Sequence, residues 1–283
     1  MTSSPVSPLP LSSADSSADV VTRLRAAGCV FAEDEARLLT AAASDPAELA
    51  VLVGRRAAGE PLEHVLGWAE FCGHHYAVDP GVFVPRRRTE FLMWQAAARA
   101  RELTGAAPGG RTVVVVDLCC GSGALGAALA AVLDRAELHA ADIDPAAVRC
   151  ARRNVAAAGG RVYQGDLFEA LPAALRGRVD ILLANVPYVP TGDIGLLPAE
   201  ARLHEARLAL DGGADGLDVL RRVAAGAVSW LAPGGHVLSE VSGRQAALAA
   251  GIVGEHGLTA QTIASAEWNS AVVVGTRGRG DCG

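Results

Sequence analysis

Beyond residue 110 the chain alternates short apolar runs with stretches of helical periodicity. Strands that alternate with helices in this way form a mostly parallel sheet with helices on its faces. Because the last two apolar runs leave no room for a crossover helix, the seventh strand is expected to pair antiparallel with the sixth. The predicted strands are 112–117, 137–142, 161–164, 179–184, 235–240, 258–264 and 270–276, with helices between the first five and between the fifth and sixth, such as 124–133 and 145–157.

The N-terminal part of the chain lacks this alternation. Residues 1–17 are rich in Ser and Pro, which is typical of a disordered tail. Helical periodicity with an internal stop predicts about three short helices in a small domain over 18–60. Short apolar stretches punctuated by Gly and Pro predict a β-hairpin linker over 61–88. A larger α/β domain should follow over 89–283. Residues 105–110 are predicted to form a loop.

Composition narrows the chemistry that this chain can perform. The formal net charge of −6 and the pI of about 5.7 argue against a broad basic face for nucleic acid. All 25 basic residues are Arg, so mechanisms that need a Lys amine are excluded. The six Cys residues show no metal-like pairing, which favours a reduced cytoplasmic protein without a bound metal. No apolar run is long enough to predict a transmembrane helix.

A glycine-rich loop at Asp117–Gly123, referred to below as the glycine loop, follows the first predicted strand and opens a helix. Such a loop lets the backbone approach a ligand closely, although its G-x-G-x-x-G pattern fits a dinucleotide equally well. Asp117 at the tip of the strand suits a cationic ammonium, and Asp142 at the end of the second strand can hold both ribose hydroxyls. Asp166 and Leu167 could bracket an adenine, unless these residues are only strand-end acids beside a glycine turn. The candidate cofactor-binding residues are Asp117, Cys119, Cys120, Gly121, Ser122, Gly123, Asp142, Asp166, Leu167 and Asn185.

The strongest chemical signal is Asn185-Val186-Pro187-Tyr188, directly after the buried fourth strand. The Asn185 side-chain oxygen and the Val186 carbonyl can each accept one N–H of a planar amide or amino group, while the Tyr188 ring stacks on its plane. The nitrogen lone pair would then point at an incoming electrophile, so that catalysis is mostly positioning. The alternative is a simple turn in which Asn185 caps and Pro187 ends the strand. Asn185, Val186, Pro187 and Tyr188 are therefore the candidate catalytic residues of an N-methyl transfer.

Three further clusters carry weaker signals. His74 and His75 are adjacent, face opposite ways on a strand and are poor joint metal ligands. His204 and Glu205 could contribute to an acceptor pocket or form an exposed polar pair. Arg86-Arg87-Arg88 is either a solvated turn or a contact to an acidic or polymeric partner.

Together these motifs resemble the protein-(glutamine-N5) methyltransferase family, of the PrmC and HemK type, over roughly residues 33–276. The most specific resemblance combines two motifs: the G-E-P signature of the predicted hairpin, and Asn185–Tyr188, which matches N-P-P-Y and is called the claw below. Many nucleotide-binding proteins, in contrast, share the glycine loop. The matching segments are Gly59–Gly67 (G-E-P), Val84–Arg86 with Thr89-Glu90 (P-R-x-x-T-E), Asp117–Gly123 with Asp142 and Leu167 (the S-adenosylmethionine positions), Asn185–Tyr188 (N-P-P-Y) and Leu203–Gly216 (the segment that follows).

The resemblance implies a class I methyltransferase: a Rossmann-like, seven-stranded, mostly parallel α/β sheet with a small helical N-terminal domain and a hairpin linker. It implies S-adenosylmethionine as the methyl donor. The implied acceptor is the side-chain amide of a glutamine in the Gly-Gly-Gln loop of a peptide-release factor. The helical domain would help to hold this large protein partner. A cytoplasmic enzyme that binds neither membrane nor nucleic acid directly is expected.

Four departures from the family pattern leave the acceptor open. Val186 replaces the first Pro of the claw, which keeps the needed carbonyl but loses rigidity. Cys119 replaces the usual first Gly of the loop, which is tolerable if its φ is negative. Arg87 and Arg88 replace a Pro and an acid. The predicted helical domain is also short.

Other functions therefore stay open from the sequence alone. The enzyme could methylate another nitrogen, either on a small molecule or at N6 of adenine in RNA, since claws with an aliphatic second residue occur in RNA adenine dimethylases. An NAD-dependent dehydrogenase is disfavoured, because a Tyr/Lys pair cannot form without Lys. A non-catalytic scaffold that binds the nucleotide with an idle claw is the alternative of a different class.

Overall fold

The computed structural model of the chain describes residues 17–105 and 111–279. The predicted disordered tail lies outside these residues, except that Ser17 already begins the first helix. Most of the predicted loop at 105–110 also lies outside them. In the described ranges no helix is both long and apolar enough to span a bilayer.

Among the described residues four helices precede the hairpin: three lie in the segment predicted as the helical domain, as expected, and the fourth lies in the segment predicted as the hairpin linker. They are α1 (Ser17–Ala26), α2 (Ala32–Ala42), α3 (Pro46–Ala57) and α4 (Leu62–Leu66). Helix α3 begins at a sequence-encoded cap, because the Asp45 carboxylate accepts the Glu48 N–H at 2.8 Å and Pro46 occupies the first turn. The short α4 ends at Gly67, whose φ of +80° glycine adopts easily. The apolar faces of these helices enclose a small core of Val20, Leu24, Ala36, Leu39, Val53 and Val65.

A buried ion pair holds this helical part together and joins it to the rest of the chain. The Arg56 guanidinium, 8% exposed, donates to both carboxylate oxygens of Glu35 and, at 2.6 Å, to Glu200. Glu35 is 7% exposed. Removing one partner of such a pair leaves an uncompensated buried charge, which costs more than the pair itself contributes.

Replacing Arg56 with Met is therefore expected to lower the free energy of unfolding by about 3–5 kcal/mol. The matched control is Arg37→Met, because Arg37 pairs with Asp34 at the exposed surface of the same helical part, where a pair contributes about 0–1 kcal/mol. Urea unfolding at neutral pH measures both variants. Equal losses in the two would contradict the importance of the buried pair.

A short hairpin follows the helices. Strands β1 (Trp68–Phe71) and β2 (His74–Ala77) pair antiparallel, with Phe71 opposite His74. The adjacent His74 and His75 are both exposed, and the His75 ring stacks on Trp68 at 3.8 Å between centroids. The apolar stretch 82–84 belongs to no strand of the hairpin. Its two valines, Val82 and Val84, are buried in a small hydrophobic cluster.

One sheet of seven strands dominates the rest of the chain, in the order β5-β4-β3-β6-β7-β9-β8. The helices and strands of this part of the chain are α5 (Glu90–Thr104), β3 (Val113–Leu118), α6 (Ala124–Ala131), β4 (Ala136–Asp142), α7 (Pro145–Val155), β5 (Arg161–Gln164), β6 (Val179–Ala184), α8 (Ala199–His204), α9 (Asp218–Trp230), β7 (Leu231–Val241), α10 (Ala246–Glu255), β8 (Thr259–Ser265) and β9 (Ser270–Thr276). Strands β3 to β7 pair in parallel, whereas β9 runs antiparallel to both β7 and β8. The predicted antiparallel pairing of the last two strands is confirmed.

Helices cover both faces of the sheet, as the near-continuous apolar strands require. Successive residues of a strand face opposite sides. In β3, Val114 and Val116 pack in the core that includes α9 and α10, whereas Val113 and Val115 pack in the core that includes α5 and α6.

One predicted helix is wrong. Between β5 and β6 the chain, which is described throughout this connection, forms two short 3-10 turns, Leu167–Ala170 and Ala173–Leu175. Pro172 separates the turns, and the φ angles of Gly165 and Gly177 are positive. These breaks leave no run long enough for an α-helix.

The order of the strands positions the site. Strand β3 has β4 on one side and β6 on the other, so the connections to its two neighbours leave in opposite directions. At such a switch point the loops after the strands separate and leave a crevice at their carboxyl ends. The predicted glycine loop and the predicted claw follow β3 and β6, and both border this crevice.

Candidate active site

A cavity of about 590 Å³ occupies this crevice. Its wall contains every sequence-predicted site residue except Gly123, namely Asp117, Cys119, Cys120, Gly121, Ser122, Asp142, Asp166, Leu167, Asn185, Val186, Pro187 and Tyr188. Gly123 lies at the start of α6 with a φ of +76°, and a Cβ there would lie 3.0 Å from the Ala151 Cβ. The structure therefore assigns Gly123 to the packing of α6 on α7 and not to the cavity wall.

The glycine loop is more strained than the sequence suggests. Cys119 has a φ of +54°, so the condition under which this loop would accept a Cys without strain, a negative φ, is not met. The turn is imposed by two hydrogen bonds, from the Cys120 N–H to the Ala141 carbonyl and from the Gly123 N–H to the Cys120 carbonyl. A left-handed conformation costs a residue with a Cβ about 1–2 kcal/mol. This strain explains why the family pattern has Gly at the position of Cys119.

We expect Cys119→Gly to be more stable than Cys119→Ala by about 1 kcal/mol, because both variants lose the thiol and only Gly relieves the strain. Cys120 provides the control. It lies outside the left-handed region and is buried against Ala140 and Ala151, so there the Ala variant should be the more stable one. Urea unfolding of the four variants decides, and the same order at both positions would refute the strain.

The two adjacent thiols of the loop are chemically quiet. Burial raises the pKa of Cys119 and of Cys120, and the nearby carboxylates of Asp142 and Asp117 raise it further. Both side chains are thus neutral thiols at physiological pH. A thiol is a poor nucleophile and a poor metal ligand compared with a thiolate, so this pair lines the loop without reacting.

Asp117 is a buried carboxyl group with one free oxygen. It is 1% exposed, and its Oδ2 accepts the Gly126 N–H at 2.9 Å. Its Oδ1 is buried and, within the described chain, has no hydrogen-bond partner. Burial, together with the neighbouring Asp142 carboxylate, raises the pKa of Asp117 to about 7, although the Gly126 N–H opposes the shift. Such an oxygen on the wall of a cavity calls for a cationic or hydrogen-donating ligand.

Asp142 joins the end of β4 to the glycine loop. Its Oδ2 accepts the Gly121 N–H at 2.8 Å, and its Oδ1 accepts the Asp144 N–H at 2.9 Å. Each carboxylate oxygen can accept a second hydrogen bond, so Asp142 keeps capacity for two hydroxyls in the cavity. Burial raises its pKa, although these backbone N–H groups oppose the shift.

Asp166 and Leu167 lie at the same end of the cavity. Leu167 is 9% exposed with a φ of +47°, a conformation that turns this residue onto the cavity wall. The Asp166 Oδ2 accepts a hydrogen bond from Arg222 Nη2 at 2.8 Å, and Arg222 also lines the cavity. The sequence did not indicate this pairing, because Arg222 lies on α9, 56 residues away.

The claw contains a second free oxygen. The Asn185 Oδ1 is buried and has no hydrogen-bond partner in the described part of the chain. The Val186 side chain is 2% exposed and packs in the core below the sheet, so Val186 can offer only its backbone to the cavity. The Asn185 oxygen thus lacks a donor that a bound amide or amine could supply.

Tyr188 is fixed by its hydroxyl. It donates to Glu240 Oε1 at 3.1 Å and accepts from Arg88 Nη2 at 2.5 Å. Burial and the Glu240 carboxylate raise the pKa of Tyr188, so the hydroxyl stays protonated at neutral pH. Tyr188 is therefore a neutral ring on the cavity wall and not a base.

Two of the three arginines of the basic tripeptide are paired within the chain, whereas Arg87 is exposed. Arg86 pairs with Glu205 at 2.6 Å and Arg88 with Glu240 at 3.0 Å, and both carboxylates are buried. Both arginines line the cavity, which the sequence did not predict. The two carboxylate partners lie 119 and 152 residues away in the sequence, so local sequence could not reveal these ion pairs. The one signal was that Arg88 occupies a position where the family pattern has an acidic residue.

His204 and Glu205 do not line the cavity. Glu205 is 6% exposed and accepts the Val84 N–H at 3.1 Å in addition to Arg86. Glu205 therefore supports residues of the wall without lining the cavity itself. Phe83, Thr89 and the residues on either side of His204 and Glu205, such as Ala201 and Ala206, contribute to the wall.

Comparison with known proteins identifies the class. The family model described as "Methyltransferase small domain" matches residues 103–224, which include the glycine loop and the claw. A solved 16S rRNA methyltransferase (RsmC) of T. thermophilus superposes with a TM-score of 0.51 at 23% identity, over 74% of this chain and 49% of that one. The fold is thus that of a class I methyltransferase, as predicted.

Curated relatives identify the family. A release factor glutamine methyltransferase of Geobacter sulfurreducens is 38% identical over 75% of this chain and 72% of its own length. One of Cereibacter sphaeroides is 34% identical over 88% and 92%. A 4-amino-L-phenylalanine/4-methylamino-L-phenylalanine methyltransferase of Streptomyces pristinaespiralis is 40% identical over 66% and 63%. The chain belongs to the release factor glutamine methyltransferase family, and S-adenosylmethionine is its methyl donor.

Proposed function

We propose that this enzyme methylates the side-chain amide nitrogen of a glutamine in a peptide-release factor. The names of the two relatives that match over most of their length support this acceptor. The observation that carries the proposal is that Asn185, a residue of the cavity wall, has a buried Oδ1 without a hydrogen-bond donor in the described chain. A primary amide supplies such a donor.

On the acceptor side, residues of the claw position the amide group that is to be methylated. Asn185 Oδ1 accepts one N–H of the amide and the Val186 carbonyl accepts the other, while the Tyr188 ring stacks on the amide plane. These hydrogen bonds polarise the N–H bonds, which increases the electron density on the nitrogen, and they orient its lone pair toward the methyl donor. One of the two protons leaves to solvent after the transfer. An amide nitrogen is a poor nucleophile, so polarisation and alignment are the main contributions the site can make.

On the donor side the residues fit S-adenosylmethionine, which supplies an electrophilic methyl group on a sulfonium. The free Oδ1 of Asp117 suits the ammonium of the methionyl part, and the spare acceptors of Asp142 suit the ribose hydroxyls. The backbone from Cys119 to Ser122 lines the same region, and Leu167 offers an apolar surface for adenine. Asp166 remains a candidate for the adenine amino group, shared with Arg222.

The N-terminal segments of the chain are proposed to bind the protein partner. We infer a helical domain over 18–60 and a hairpin linker over 61–88 that help to hold the release factor beside the catalytic domain over 89–283. The Arg56–Glu200 bond supports this division of labour, since Glu200 lines the cavity and Arg56 lies on α3. A protein that acts on release factors works in the cytoplasm.

A small-molecule amine is the second candidate acceptor. The Streptomyces pristinaespiralis relative is named for 4-amino-L-phenylalanine and is about as similar to this chain as the glutamine methyltransferases. Arg88 also departs from the family acid at a place that the structure puts on the cavity wall. An aromatic amine could stack on Tyr188 in the same way as an amide.

A methyl-transfer assay with labelled S-adenosylmethionine separates these acceptors. Purified release factors of the source organism, 4-amino-L-phenylalanine and RNA are offered in parallel, and mass spectrometry locates the methyl group. One methyl on the glutamine of the Gly-Gly-Gln peptide is the expected result. Transfer to the amine or the RNA alone would overturn the proposed acceptor. Binding of S-adenosylhomocysteine without any transfer would favour the non-catalytic scaffold.

A further inference from the structure

The turn that carries Arg88 is bonded directly to the claw. Arg88 Nη2 donates to the Tyr188 hydroxyl at 2.5 Å, and Arg88 Nε donates to Glu240 Oε1 at 3.0 Å. The Tyr188 hydroxyl donates to the same Glu240 oxygen at 3.1 Å. Three side chains from distant parts of the sequence thus close a triangle, and two of them, Arg88 and Tyr188, line the cavity.

Glu240 anchors this triangle. It is 2% exposed and lies on β7, which is paired on both sides by β6 and β9. Its other oxygen, Oε2, is buried and has no partner among the described residues. The carboxylate therefore depends on Arg88 and Tyr188 for its hydrogen bonds, and its position follows the rigid sheet.

The triangle fixes the position of the Tyr188 hydroxyl. A phenol has one donor and a strong acceptor site, and here Glu240 and Arg88 use both. The guanidinium also lies 5.8 Å from the ring centroid. The hydroxyl end of the ring cannot swing away from this place without breaking charge-assisted hydrogen bonds, which are the strong ones. An acid in place of Arg88 could not donate to Tyr188 and would repel Glu240.

We propose that Arg88 is a positioning residue for methyl transfer: acting through the Tyr188 hydroxyl, it holds in place the ring on which the acceptor stacks. The inference rests on the proposed role of Tyr188 as the stacking surface. It gives Arg88 no contact with the donor or the transferred methyl group. Since a displacement of about 1 Å can cost about 100-fold in rate, the effect belongs in kcat and not in donor affinity.

A double-mutant cycle tests this route. Arg88→Met and Tyr188→Phe are each expected to lower kcat about tenfold, and the double variant should lose about the same tenfold and not a hundredfold, because both changes break one linkage. The Kd for S-adenosylhomocysteine should stay unchanged. Arg87→Met is the matched control, because Arg87 is exposed and outside the cavity wall, and its kcat should equal that of the wild type. Additive losses would overturn the inference.

A readout without turnover separates this inference from the proposed acceptor. The chain has three Tyr residues, so protein labelled with 3-fluorotyrosine gives three fluorine resonances, and Tyr188→Phe identifies one of them. Arg88→Met should shift or broaden the Tyr188 resonance and leave the other two in place. If Arg88→Met does not fold, Arg88→Lys takes its place, because Lys keeps the positive charge beside Glu240 but loses the rigid fork of guanidinium donors. An unchanged Tyr188 resonance would overturn the inference even if release factors are methylated, and a changed one would support it even if they are not.

Discussion

Replacing Asn185 with Ala is expected to lower methyl transfer about 10²- to 10³-fold while the Kd for S-adenosylhomocysteine stays nearly constant. The reason is that Asn185 Oδ1 is a preorganised acceptor for the acceptor's N–H, and removing one such group from an active site costs about this much in rate. Steady-state methyl transfer and calorimetric binding measure the two quantities.

Two controls make the Asn185 result specific. Val186→Pro restores the family claw and keeps the carbonyl, so it should retain activity. Arg87→Met changes a neighbouring exposed side chain and should also retain activity. Persistence of transfer in Asn185→Ala would show that the claw is not the acceptor site.

Lowering the pH below about 7 is expected to weaken donor binding through Asp117. Burial raises the pKa of Asp117 to about 7, so the carboxylate that would face the donor's ammonium becomes neutral in acid. The Kd should therefore rise as the pH falls from 8 to 6. Asp117→Asn keeps an oxygen for the Gly126 N–H but has no charge to lose. It should bind weakly at every pH, and calorimetry against pH compares the two.

The stability of the donor-free protein should follow the opposite trend. The pKa of Asp117 in the folded protein lies above the ordinary value of 3.8, so the stabilisation from its proton is present at low pH and is lost as the pH rises toward about 7. The raised pKa of Asp142 acts in the same direction. Across this range Asp117→Asn should lack the part of the loss that Asp117 causes, which amounts to a few kcal/mol. Urea unfolding at both ends of the range measures the difference, and parallel curves for both proteins would refute a raised pKa.

The sheet was predictable because its signals are local. Strands β6 and β9 have the bounds that the sequence predicts, 179–184 and 270–276, and each is flanked on both sides by polar residues. The missing helix between β5 and β6 shows the limit of this approach. Its residues are rich in Ala and Leu, but Pro172 and two positive-φ glycines break the connection into short turns.

The site was predictable as far as it is made of strand ends. The glycine loop, Asp142, Asp166 and the claw each follow a strand, and parallel strands bring their carboxyl ends to one crevice. The φ of Cys119 could not be predicted, because the hydrogen bond from Cys120 to Ala141 that accompanies it joins two different strand ends.

The supporting ion pairs were beyond sequence reasoning for the same physical reason. The sequence left Arg86-Arg87-Arg88 as either a solvated turn or a contact to an acidic or polymeric partner, because it does not show which carboxylates face Arg86 and Arg88. Their partners, Glu205 and Glu240, are brought in by the tertiary fold. Electrostatic contacts of this kind depend on packing that hydrophobic periodicity does not encode.

A crystal structure of the enzyme with S-adenosylhomocysteine and a Gly-Gly-Gln peptide tests the central claim most directly. The glutamine amide nitrogen should lie about 3 Å from both Asn185 Oδ1 and the Val186 carbonyl oxygen, with the Tyr188 ring against the amide plane. An amide nitrogen bound elsewhere in the cavity, with Asn185 Oδ1 still lacking a donor, would contradict the account.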